Sequence, residues 1–342
     1  VYASKLIVYI FARYNGQRGP SSVYHLFKGK KSGQTIQDVG LFQLHPFFSI
    51  TPKLHKTQYD TYFNQLIQQQ FLLLTEHTVY VTEKGWAFIE GFDPGPLDGW
   101  HYRGNEMIFM KRLSLVVQTL SHYARGASFI PIEQDGAIQR YVKSYLRAHQ
   151  FQQPLFQETF TKQFIARLDT TRVEELSKQV FVLRLSGYEM SGHTWQQIQT
   201  ELGEDVFSLQ LRFIQCLHGL LMQLTETPLL EDLAQHIKIE QHYTQSTEKT
   251  FSLFKEGYTL SQIAQIRHLK ESTIEDHFAE MAMVDEDFPI YTFLSKELRR
   301  KIEDVATKLQ TTKLRQIKEN VEQASYFQIR LVLAARRESK WN

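Results

Sequence analysis

The sequence predicts a mainly α-helical fold: an N-terminal winged helix over residues 1–92, a central helical domain over residues 100–240 and a C-terminal helix-turn-helix domain over residues 241–342. Three observations predict it. Apolar residues recur three and four positions apart through most of the chain, the spacing that lines one face of a helix. That period gives way to two short β-rich runs at Phe71–Thr75 and Val79–Thr82. Finally, two stretches break the pattern. One is Phe92-Asp93-Pro94-Gly95-Pro96-Leu97-Asp98-Gly99, whose prolines and glycines cannot continue a helix; the other is the polar run Thr244–Glu248.

In the first part, Leu6, Ile7, Ile10 and Phe11 share a helical face, as do Val23, Leu26 and Phe27, and then Tyr59, Phe63, Leu66, Ile67 and Phe71. The two β-rich runs, joined by the turn-like Glu76-His77-Thr78, form a hairpin. A further helix opens at Thr82 or Glu83 and carries Trp86, Ala87 and Ile89. Helices followed by a hairpin wing are the plan of a winged helix. The central part reads as helices over Met107–Tyr123, Ile138–Ala148, Phe156–Leu168, Val173–Gly187 and Val206–Leu224. Its segment Leu185–Ile198 has a helix, a glycine stop and a capped second helix, which suits a helix-turn-helix or an ordinary helical hairpin equally.

The third part carries the sharper signal. Thr250–Gly257 is a helix closed by glycine. Thr259 caps a second helix over Tyr258–Arg267, His268-Leu269-Lys270 turns the chain, and Glu271 or Ser272 starts a third helix. Leu260, Ile263, Ala264, Ile274 and Phe278 face inward, and the small Ala264 lets the two helices cross closely. On the geometry of a helix-turn-helix, Ser272, Thr273, Glu275 and His277 then face DNA, and Arg267 and Lys270 reach phosphates. Helices follow over Leu298–Leu309, Leu314–Val321 and Ser325–Ala334, the last with a basic end at Arg336, Arg337 and Lys340.

Composition bounds the function. With 342 residues and 42% hydrophobic content the chain can bury two or three cores. A net charge of +2 means that any nucleic-acid footprint must be local. The one cysteine, Cys216, sits in an apolar run, which rules out an internal disulfide and leads us to expect a buried thiol and a cytoplasmic protein. No stretch suits a membrane span, and Val1–Phe11 reads as a first helix rather than a signal peptide. Gly29-Lys30-Lys31-Ser32 lacks the upstream glycine of a phosphate-binding loop. His25, His45, His55 and the pair His242-Tyr243 have no ligand spacing for zinc, and Asp285-Glu286-Asp287 reads as a solvated acidic run. With no nucleophile motif either, the expectation is a protein that is not an enzyme and holds no cofactor.

Resemblance sharpens this. Leu253-Phe254-Lys255-Glu256-Gly257, Ile263-Ala264, Leu269-Lys270, Ser272-Thr273-Ile274-Glu275-Asp276-His277 and Tyr326–Ala334 resemble the helix-turn-helix domain at the C-terminal end of many RecQ helicases. Over nearly its full length the chain resembles the YpbB family of Bacillota, thought to work beside a RecQ-like helicase that lacks this region. Tyr24–Ser32, the helix Tyr59–Gln70 and the hairpin are similar to the RecQ C-terminal winged helix, without the zinc-binding part that precedes it in many of those proteins. That likeness implies that Lys28, Lys30, Lys31 and Ser32 hold phosphate and that His77, at the wing tip, parts base pairs. The function implied is a DNA-binding accessory subunit of a RecQ-like helicase in repair or recombination. Its partners would be forked or structured DNA and the helicase, with no membrane, and its place the nucleoid. The alternatives are a helix-turn-helix transcription regulator and a protein-interaction scaffold that does not bind DNA.

Overall fold

The structure, a computed structural model, describes residues 1–239, 243–285 and 287–336. His242, Glu286, Arg337 and Lys340, named above, lie outside the described residues. The chain is mainly helical, as the periodicity requires. The first elements are α1 (Tyr2–Tyr14), α2 (Ser22–Lys28), α3 (Gly33–Leu41) and α4 (Lys56–Gln68). Then come the hairpin strands β1 (Leu72–Thr75) and β2 (Thr78–Val81), antiparallel with Leu73 opposite Tyr80, and α5 (Glu83–Phe88). The central elements are α6 (Gly99–Tyr102), α7 (Glu106–Tyr123), α8 (Gly136–Ala148), α9 (Pro154–Thr170), α10 (Glu175–Leu183), α11 (Trp195–Leu202), α12 (Val206–Leu221) and α13 (Pro228–Leu233). The third part holds α14 (Gln245–Lys255), α15 (Leu260–Arg267), α16 (Glu271–Val284), α17 (Lys296–Lys308), α18 (Leu314–Asn320) and α19 (Tyr326–Ala334).

The buried apolar residues form two clusters. One runs from Tyr2 to Ile237 and takes in both the first and the central parts. Its axis is α1 against α12, both buried on nearly every side. The segment rich in proline and glycine at 93–99, expected between two domains, lies on this one core. Leu97 and the following Trp100 are buried in it, and the Pro94 carbonyl accepts from Tyr2 Oη (2.6 Å) and Gln215 Nε2 (2.8 Å). Side chains from both parts thus satisfy backbone that no helix could. At the end of α12, buried Arg167 donates from Nε to the Leu220 carbonyl (3.0 Å), a cation set where helix carbonyls are otherwise orphaned. The helix expected over Val173–Gly187 stops at Leu183, because the Leu183 carbonyl accepts from the His193 N–H (2.7 Å) as the chain turns back.

The second cluster runs from Tyr243 to Ala334 and is built twice on one plan. In each of α14–α15–α16 and α17–α18–α19 the third helix packs on the other two. The two third helices, α16 and α19, also pack on each other, so the units stand back to back. Hydroxyl caps begin α14 (Thr244) and α17 (Ser295), and capping boxes begin α15 (Thr259 with Gln262) and α19 (Ser325 with Gln328). Phe254, Phe278, Phe288 and Phe293 form the aromatic centre, with ring centroids 4.8–6.4 Å apart.

The clusters are joined through α3, a helix the apolar pattern did not announce. Ser32 caps it, its Oγ accepting from the Thr35 N–H at 3.4 Å. Gly33 and Gly40 lie two turns apart on the side that meets α16. A Cβ at Gly33 would stand 2.3 Å from Asp276 Oδ2, and one at Gly40 would stand 2.1 Å from Met283 Sδ. Glycine at these two places leaves room for the Asp276 and Met283 side chains to lie against α3. A second tie is polar: Gln17 Oε1 accepts from Thr312 N (2.7 Å) and Thr312 Oγ1 (2.6 Å).

Candidate nucleic-acid interface

The helix-turn-helix has the expected internal geometry. Thr259 N donates to Gln262 Oε1 (2.9 Å) and Gln262 N to Thr259 Oγ1 (3.4 Å), which fixes the start of α15. His268 adopts a left-handed conformation (φ 51°) and ends it, and the Leu269 N–H returns to the Ala264 carbonyl at 3.0 Å. Ile263, Ala264, Ile274 and Phe278 are buried, as the spacing predicts. Lys270 stands at the N-cap of α16 without a side-chain cap, and Glu271 in the first turn complements the helix dipole.

The outward stripe of α16 is mostly covered. Lys270, Glu271 and Ser272 are exposed and Thr273 is half-buried. From there on α3 and α19 close over the helix: Glu275 and Asp276 are half-buried, and Ala279 and Glu280 are buried. Asp276 lies against Gly33 and forms an ion pair with Arg330 of α19. Burial raises the Glu275, Asp276 and Glu280 carboxyls, and Arg330 or Arg103 opposes the rise. Glu280 accepts from Thr244 N–H, Thr244 Oγ1 (3.1 Å) and Thr247 Oγ1 (2.6 Å), which ties the start of α14 to the middle of α16.

Two residues expected at DNA are used inside the protein. His277 does not face outward: its ring is buried, with Nδ1 2.8 Å from Thr250 Oγ1 and 3.4 Å from Arg267 Nη1. A guanidinium can only donate, so Nδ1 accepts and the ring is neutral. Arg267 also binds the Ser246 carbonyl (2.8 Å), Ser246 Oγ (3.1 Å) and Thr250 Oγ1, so it fastens α15 to α14 rather than extending to a phosphate.

In the N-terminal group, Lys28 is half-buried at the end of α2 and Lys30 and Lys31 are exposed. The Ser32 hydroxyl is spent on the α3 cap and also lies 2.9 Å from Thr35 Oγ1. Lys31 lines a pocket with Ser49, Arg103, Tyr243 and Gln245, at the start of α14. His77 is exposed at the hairpin turn. The hairpin itself is pinned to the chain before α2, since the Val79 N–H donates to the Arg18 carbonyl at 3.0 Å. Sequence reasoning missed Asp276, Glu280 and Arg330, whose partners lie 33 or more residues away and leave no local signal.

The buried ring makes the protein sensitive to acid. Burial first, and then the Arg267 charge, hold the His277 pKa down to about 4, against 6.5 in an unfolded chain. Between those values the unfolded chain takes up a proton that the folded one refuses. The ring's contribution to stability is therefore complete above about pH 6.5, falls as pH drops through the window, and levels off below about pH 4. In urea titrations from pH 7.5 to pH 4.5, His277→Gln should lose less stability than the parent protein. Equal losses in both would mean that the ring is not the sensor.

This fold and its second half define a helix-turn-helix protein: the family described as "Helix-turn-helix domain" matches residues 246–333, and such a domain points to DNA binding. The match spans both three-helix units. The chain is 34% identical over 343 residues to Protein YpbB of Bacillus subtilis (strain 168), covering 97% of either chain, and it belongs to that protein's family. No solved structure matches it. Among the described residues no helix is long and apolar enough to cross a membrane, and no group of histidine, cysteine and carboxylate side chains could hold a metal ion.

Proposed function

We propose that this protein is a non-catalytic DNA-binding accessory subunit of a RecQ-like helicase, acting at forked or structured DNA in repair or recombination. The observation that carries the reading is the helix-turn-helix domain, fastened through α3 to the helices and hairpin of the first core. The resemblance of residues 253–334 to the C-terminal domain of RecQ helicases is the reason for proposing a helicase as the partner.

The covered face of α16 favours recognition of DNA shape over recognition of sequence. An operator-binding regulator lays the outward stripe of its third helix in the major groove. Here that stripe is open only from Lys270 to Thr273. The same burial supports the scaffold reading, in which the unit serves packing alone.

The test is fluorescence anisotropy with forked, single-stranded and duplex DNA across a salt series, with and without the cognate RecQ-like helicase. The accessory reading expects binding that weakens steeply with salt, prefers forks and tightens with the helicase. One duplex sequence favoured by several kcal/mol would instead indicate a regulator. No DNA binding at low salt beside a stable helicase complex would leave the scaffold.

A further inference from the structure

The two three-helix units share a plan but not a charge. Residues 245–284 carry four lysines and arginines against six carboxylates, a net charge of −2. Residues 296–334 carry nine against five, a net charge of +4. The unit with the sequence hallmarks of a reading helix is thus the net acidic one, and most of its helix is covered. The basic unit keeps no reading helix at all, since α19 is buried from Phe327 to Ala334 apart from the half-buried Gln328 and Arg330. What it offers is cations, not base contacts.

Three of these cations, Lys313, Arg315 and Arg330, line a cleft between the two clusters. The cleft holds about 400 Å³ and is walled by Arg18, Gln34 and Gln37 on one side and by Lys313, Arg315 and Arg330 on the other. Among the described residues no carboxylate lines it. Arg18, Arg315 and Arg330 each have one carboxylate partner: Asp38 at 2.6 Å, Glu319 at 2.9 Å, and Asp276. Lys313 has no salt bridge with any described residue, and Gln37 Nε2 is buried without a hydrogen-bond partner. A cleft lined by four cations, one of them without a carboxylate partner, suits an anion.

Resting on the DNA-binding reading above, we infer that this cleft seats a phosphate of the DNA backbone, held by Lys313 and Arg315 and approached along the basic α17–α18 unit. The contact is to backbone, so it carries register and affinity but no sequence preference. It also needs both clusters in place, since each supplies one wall.

The experiment compares three forms of the full-length protein: the parent, the double variant Lys313→Gln/Arg315→Gln, and the double variant Lys270→Gln/Ser272→Ala on the open turn of α16. Each is titrated with labelled duplex DNA of two unrelated sequences over a salt series, and with inorganic phosphate alone by calorimetry. The expected result is that the cleft variant loses about tenfold in affinity on both sequences, with the salt slope shallower by about 2, while its melting temperature holds. The α16 variant should keep a larger share of the parental affinity than the cleft variant does. Parental affinity in the cleft variant, or a loss confined to the α16 variant, overturns the inference and leaves DNA binding standing. Phosphate binding lost in the cleft variant with DNA affinity unchanged overturns it in favour of a free-phosphate site. A parent protein that binds no DNA at low salt removes the DNA-binding reading itself, and the inference with it.

Discussion

Phe278→Ala is expected to lower stability by about 3–5 kcal/mol, the cost of deleting a fully buried ring and leaving a cavity. The ring is 0% exposed. It meets Phe254 at 4.8 Å, Phe293 at 5.2 Å and Phe288 at 6.0 Å between centroids. These partners come from α14 and from the connection between the units, while Phe278 itself is held in α16, so no one element can shift to fill the gap. Against a total of about 5–15 kcal/mol for a typical domain, such a loss brings the second cluster near its unfolding threshold. Urea unfolding gives the total, and amide hydrogen exchange locates it. Exchange should quicken throughout residues 245–334 and much less in α1 and α12. A loss under about 1 kcal/mol would show that the aromatic centre repacks freely.

The second large effect concerns α3. At Gly40 a Cβ would crowd the Sδ and Cγ of Met283, atoms of a flexible side chain that can move aside. Gly40→Ala should therefore be mild, the more so because alanine favours helix by about 1 kcal/mol over glycine. Gly40→Leu adds three further carbons that the α3–α16 approach has no room for, and should cost about 1–3 kcal/mol. The graded series separates close approach from helix propensity, since propensity alone would make both substitutions stabilising. Denaturant midpoints for the three proteins decide it, and a leucine variant as stable as the alanine one would refute the tight contact.

Local signals made much of the fold legible. Apolar spacing located α7, α8, α9 and α12, the helix-turn-helix and α17 to α19, while Thr259 and the left-handed turn at His268 marked where one helix ends and the next begins. The placement of His277 shows what a motif-led reading overlooks. His277 is three residues after Ile274 and one before Phe278, so its own spacing sets it on the buried face. The helix-turn-helix template, not the period, pointed it outward. α3 was obscured because the two glycines that let it approach α16 also dilute its apolar stripe to Ile36 and Val39. With α3 unseen, the cover over Glu275, Asp276 and Ala279 could not be anticipated, nor could the cleft, whose walls are about 300 residues apart in the chain.

The glycine-spaced seam between α3 and α16 also fixes an angle. The hairpin turn at His77 belongs to the first cluster and the basic α17–α18 unit to the second, and the seam makes them parts of one bracket. The orientational entropy of setting one against the other is lost when the chain folds, not when it meets DNA. A duplex gripped by the second cluster would then present its next few base pairs to the hairpin at one bearing. A pair of modules on a flexible tether would have to search for that bearing at each encounter. The seam thus works as a jig, and loosening it should spoil alignment before it spoils grip.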